Sequence, residues 1–167
     1  MTLSELNREK RKYSDLIKYE YMFPKTNKCI WLIKIGDKEI LKKLVKWLYC
    51  LPVNFIVVTS EALKKDSDNV VFVNDISEHE IWVDFVVCDD EETSLNNYFE
   101  KWITPIISKL WHFSSILTEF NPMKNEGNSF LYDNLNAWSV FYTIVRYLEN
   151  YKFPFDNKNL VKNVFES

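Results

Sequence analysis

Six short apolar runs punctuate the chain, and the stretches between them carry apolar residues at helical spacing. The runs are 28–35 (KCIWLIKI), 54–59 (NFIVVT), 70–73 (VVFV), 83–87 (VDFVV), 104–107 (TPII) and 130–132 (FLY). Their β-branched and aromatic content, with little alternation, predicts strands buried on both faces. Pro105 sits near the start of the fifth run, where a missing donor is tolerated. Residues 3–20 carry Leu3, Leu6, Tyr13, Leu16 and Ile17 as a loose helical stripe, and 37–50 carry a tighter one with lysines opposite. Helices are also predicted over 95–102 and over 157–165, the latter with Leu160, Val161 and Val164 inward. The clearest helix covers 136–148, with Trp138, Phe141, Tyr142, Val145 and Leu148 on one side. Short helices are expected at 61–65 and 77–81, and a mixture of helix and loop over 109–122. Buried strands alternating with helices predict an α/β protein, a Rossmann-like three-layer sandwich with a mostly parallel six-stranded sheet. With right-handed crossovers the expected strand order is 3-2-1-4-5-6, in one domain over 1–167.

Composition narrows the functions open to such a fold. The 167 residues are 47% hydrophobic and 16% aromatic, which suits a folded domain with a proper core. The formal net charge is −3 with both signs interspersed, so no basic face for nucleic acid is expected. No stretch approaches the length of a membrane span, and the polar start MTLSELNREKRK lacks the core of a secretion signal. Cys29, Cys50 and Cys88 are widely spaced in apolar contexts and read as reduced core residues of a cytoplasmic protein. Neither His79 nor His112 has a neighbour that would make a metal site, and no cofactor is expected. His112 near Ser114 and Ser115 lacks the elbow of a nucleophilic serine.

Glycine is the decisive count. An average chain of this length would hold about 12; this one has two, Gly36 and Gly127. Phosphate-cradling loops use glycine to bring backbone N–H groups close to the ligand, so a fully equipped dinucleotide fingerprint or P-loop is excluded.

Three segments carry a resemblance to a known family. After the first strand come Lys34 and Lys38, with Glu39 following. After the fourth strand come Asp89, Asp90, Glu91 and Glu92, then Ser94-Leu95, Tyr98, Ile103 and Thr104-Pro105-Ile106. Later comes Gly127-Asn128-Ser129-Phe130-Leu131-Tyr132 and a helix with Trp138. Together they resemble the C-terminal, donor-binding domain of glycogen and starch synthases, which is half of a GT-B glycosyltransferase fold. The N-terminal helix segment 7–12 is a further, weaker match. The resemblance spans most of the chain and is better in its structural segments than in its chemical ones. It implies that Lys34 and Lys38 stand where the family has an Arg and a Lys on the donor diphosphate. It implies that the acidic loop stands where a Glu contacts the sugar, and that Tyr98 matches an aromatic variant at that site. The implied donor-binding set is Lys34, Lys38, Glu91, Glu92, Ser94 and Tyr98, with no catalytic residue assigned. The implied ligand is a nucleotide-sugar such as ADP- or UDP-glucose.

The departures from the family pattern bear on activity. Glu39 and Ile103 replace glycines, Ser94 replaces another, and four acids beside a diphosphate would repel it. The alternatives are ordinary solvated lysines and a solvated acidic loop at a strand end. The family enzyme also needs a second domain to bind acceptor and exclude water. The expectation is a donor-half domain weakly active or inactive alone. Two other readings stay open: a pseudoenzyme serving as a binding or scaffolding module, and an unrelated receiver- or flavodoxin-like domain. The aromatics Trp102, Trp111, Phe113, Phe120, Tyr151, Phe153 and Phe155 lie near element ends. Some are expected to remain exposed and to mediate self-association or docking to a partner chain.

Overall fold

A computed structural model describes residues 2–78, 81–89, 92–93, 95–110 and 115–167. The elements run α1 (Leu3–Glu20), β1 (Ile30–Lys34), α2 (Lys38–Leu48), β2 (Asn54–Val58), β3 (Val70–Val73), β4 (Phe85–Cys88), α3 (Leu95–Glu100), β5 (Thr104–Ser108), β6 (Phe130–Tyr132), α4 (Ala137–Tyr151) and α5 (Pro154–Phe165). The six strands form one open sheet in the order β3-β2-β1-β4-β5-β6. Every pairing is parallel, so the expected mostly parallel sheet is wholly so. Helices flank the sheet, as in a Rossmann-like sandwich.

Side-chain alternation divides the core in two. Trp31, Phe55 and Phe85 stand at paired register positions in β1, β2 and β4 and make one aromatic row. Tyr147 of α4 covers that row, 5.4 Å from Trp31 and 4.1 Å from Phe85 between ring centroids. The helix α2 packs alongside α4 and buries Leu41, Leu44, Val45 and Leu48. The opposite face carries Ile30, Leu32 and Lys34, with α3 and α5 meeting each other and β5.

Two local devices fix the crossovers. Asp37 caps α2 by accepting from the Glu39 and Ile40 amides, which ends β1 cleanly and starts the helix. At the other end of α2, the buried Asn69 side chain donates to the carbonyls of Leu48, Leu51 and Val53. It thereby ties the end of α2 and the turn after it to the residue before β3. The long β5–β6 connection is pinned from α5, where the Asn163 amide donates to the carbonyls of Asn125 and Gly127.

Several expectations are corrected. Residues 61–65 are irregular, because Glu61 and Lys64 are drawn into ion pairs and Tyr49 donates to the Lys64 carbonyl. The predicted helix at 77–81 lies partly outside the described residues, and its described part is turn. The buried side of α4 is Ala137, Val140, Thr143, Ile144 and Tyr147, while Trp138 and Tyr142 are exposed. The smaller residues face the sheet, and Trp138 lies against Trp47 on the outer edge of the α2–α4 seam. In α1 only Leu6 and Ile17 are buried, with Leu3 and Leu16 exposed. Cys29 and Cys88 are core residues as expected, but Cys50 is exposed beyond the end of α2.

Candidate functional site

Where the order reverses, successive crossovers leave β1 and β4 in opposite directions. The crevice outside their carboxyl ends is where open α/β sheets bind ligands. Here it is an open cleft of about 410 Å³ lined by Lys34, Ile35, Gly36, Val58, Asp89, Glu92 and Thr93.

Lys34 is the last residue of β1 and faces the layer of α3. Its ammonium donates to the Glu92 carboxylate at 2.6 Å and to the Tyr98 hydroxyl at 3.1 Å. Tyr98, buried on α3, donates in turn to the same Glu92 oxygen at 3.2 Å. The Glu92 side chain is 5% exposed and that of Lys34 is 28%. This is therefore a largely desolvated triad. Burial foremost, then the neighbouring Cys88 and Glu92, pushes the Tyr98 phenol upward, so it stays protonated. Burial does the same to the Cys88 thiol, which is fully buried at the end of β4.

Beside the triad, the Gly36 backbone N–H donates to the Asp89 carboxylate at 2.7 Å. The Asp89 amide donates back to the Lys34 carbonyl, which ties the start of the acidic loop to the end of β1. The Tyr132 hydroxyl donates to the Cys88 carbonyl at 2.6 Å and anchors the end of β4 from β6.

Of the expected donor-binding residues, Lys34, Glu92 and Tyr98 come together in one triad. Lys38 does not join them. It opens α2 and pairs with Glu61 at 2.6 Å, which raises the Lys38 amine and lowers the Glu61 carboxyl. Glu91 and Ser94 lie outside the described residues, as do Asp90, His79, His112, Ser114, Trp111 and Phe113. Sequence reasoning missed the role of Asp89 as acceptor for Gly36. The signal was available, since a glycine directly after a strand and an acid directly after its neighbour meet at one sheet edge. Of the aromatics expected near element ends, Trp102 and Phe120 are buried, Tyr151 is half-buried, and Phe153 and Phe155 are exposed.

The triad holds a cation, a carboxylate and a protonated phenol in mutual contact, so its charge is internally balanced. Among the described residues no group of three or more His, Cys, Asp or Glu could hold a metal ion. Among them also no helix is long and apolar enough to cross a membrane. Compared with protein-family models and with curated proteins, the chain finds no match.

Proposed function

We propose that this chain is a non-catalytic relative of the donor half of glycogen/starch synthase-like glycosyltransferases, acting as a binding or scaffolding module. One observation carries the reading. The two groups best placed to meet a donor diphosphate, the Lys34 ammonium and the Gly36 N–H, are both engaged by the chain's own carboxylates. Glu92 and Asp89 occupy, in charge and in hydrogen bonding, the place of phosphate oxygens. A diphosphate entering the cleft would have to displace them and then lie beside them, with repulsion added to lost pairing. The second cation that the resemblance implies, Lys38, is turned to Glu61. The strand order fits this reading and fits other Rossmann-like domains equally. The free cysteines fit a reducing compartment such as the cytoplasm.

Titration calorimetry with ADP-glucose and UDP-glucose tests the proposal. Affinity of the parent protein is expected to be on the order of millimolar or weaker. The variant Asp89→Asn/Glu92→Gln, which frees Lys34 and removes two negative charges, is expected to bind about tenfold more tightly. Micromolar binding by the parent, abolished by Lys34→Ala, would establish a working donor site and refute the reading.

A further inference from the structure

The opposite edge of the sheet holds a cleft that the proposal above does not use. The helix α1 crosses the amino ends of the strands and is anchored near both its ends, by Leu6 and Ile17. Between these anchors it spans a cleft of about 500 Å³ whose other walls come from Asp84, Phe85, Tyr151 and α5. That volume suits a small organic molecule.

The helix presents a polar row to this space. Asn7, Lys10, Arg11, Ser14 and Lys18 recur at three- and four-residue spacing, which places them on one side. Lys28 adds a fourth base from the segment before β1. Against these four bases stand two acids, Asp15 and Asp84. The cleft thus carries an excess of two positive charges in a chain whose net charge is −3. Asp84 is committed to the fold, since its carboxylate accepts the Ile30 amide at 2.9 Å. Lys10 donates to the Trp102 carbonyl at 2.9 Å, which leaves further donor capacity on its ammonium. Tyr151 lines the cleft as a half-buried ring and rests 5.7 Å from the buried Phe85.

We propose that this cleft binds a small organic molecule through an oxyanion, a phosphate or carboxylate group held by Lys10, Arg11 and Lys18. The guanidinium of Arg11 supplies a planar fork suited to either group, and the two lysines supply point charges. The organic body of the ligand lies on Tyr151, the half-buried ring of the cleft. Burial lowers the Lys10 amine and raises the Asp84 carboxyl, so each charge is costly in this space as it stands. An anion placed on Lys10 offsets that cost.

The inference is independent of the Lys34 triad, which lies at the other end of the strands. Amide chemical shifts of the labelled protein, followed during titration with pyrophosphate and separately with citrate, test it. Sodium chloride at matched ionic strength is the control. The expected result is saturable shifts in α1 and around Asp84 with at least one probe, and the more effective probe tells phosphate from carboxylate. Arg11→Gln/Lys18→Gln removes two cations at exposed and half-buried positions and should weaken binding about tenfold or more. Lys109→Ala, an exposed lysine after β5 paired with Asp133, should leave it unchanged. Shifts equal to those in sodium chloride, or saturable shifts insensitive to the Arg11/Lys18 variant, would overturn the proposal.

Discussion

Removing the Lys34 amine tests whether the triad is an energetic unit. In Lys34→Met the aliphatic stem is kept and the charge is lost, so Glu92 remains in a site where its side chain is only 5% exposed. Two limits bracket the cost. An exposed ion pair contributes roughly 0–1 kcal/mol, because water screens it and both side chains lose entropy. Removing one partner of a fully buried pair costs about 3–5 kcal/mol, because the remaining charge is left uncompensated. Lys34 is 28% exposed and its contact is short, 2.6 Å, so the pair falls between these limits. A loss of about 2 kcal/mol is expected, or roughly 4–8 °C in Tm for a domain of this size. Glu92→Gln should cost less, since the amide keeps an acceptor for the Tyr98 hydroxyl. The double variant Lys34→Met/Glu92→Gln should recover much of the Lys34→Met loss, with a coupling energy of about 1–2 kcal/mol. Urea denaturation of the four proteins of this cycle measures it. A Lys34→Met cost below about 0.5 kcal/mol, or additivity across the cycle, would refute the triad as a coupled unit.

Gly127→Ala should destabilise by about 2–4 kcal/mol: Gly127 has φ of +95°, and a Cβ would lie 2.3 Å from the Glu119 carbonyl oxygen. Equilibrium unfolding checks this, and a neutral variant would show that the 117–129 loop can relax. Because burial lowers the folded-state pKa of Lys10, the native state binds fewer protons than the unfolded state just below the usual lysine pKa, so this residue makes stability rise with pH there. The stability difference between parent and Lys10→Met, followed from neutral pH to about 10, should grow in the parent's favour, and a pH-independent difference would contradict the burial of a charged amine. Phe153→Ser/Phe155→Ser, at exposed positions, should leave stability within about 0.5 kcal/mol and abolish a concentration-dependent rise in sedimentation coefficient; a parent that is monomeric at high concentration would remove the basis for self-association through these rings.

The sheet was legible because burial on both faces leaves a plain trace. IWLIK, NFIVV and FVVC have no polar interruption before their ends, and the crossover rules then leave few strand orders. The phase of α4 was not legible. Hydrophobic weight along that helix is dominated by Trp138, Phe141 and Tyr142, yet the sheet-facing side needs small and branched residues, Val140 and Ile144, to let Tyr147 reach the aromatic row. Lys34 was singled out through the resemblance, at the end of the first strand, and it lines the cleft at the reversal of strand order. Its partner was ambiguous, because four successive acids offered themselves and 58 residues separate Lys34 from Glu92 in sequence. The turning of Lys38 toward Glu61 was hidden for a similar reason, since 61–65 read as helix and gave no reason to expect Glu61 at the head of α2.

The two edges of this sheet treat charge in opposite ways, and that contrast bears on what the fold has been used for. A buried ion pair gains little net stability over apolar residues of similar size. An apolar residue at position 34 would simply have continued the apolar run of β1. Retaining a lysine there, with Glu92 and Tyr98 around it, instead specifies where the loop after β4 must lie, and Asp89 on the Gly36 N–H specifies it a second time. At the carboxyl edge, where a Rossmann-like sheet ordinarily meets its ligand, these charges are thus paired with groups of the protein itself. At the amino edge the opposite holds. Four bases face two acids beneath α1, and Asp84 is already committed to the Ile30 amide. Asp84 faces Lys10 while it holds the Ile30 amide, so part of the positive charge is balanced from within; the remaining excess in a partly enclosed space is unfavourable for the protein alone, and the proposed oxyanion would supply the negative charge that offsets it.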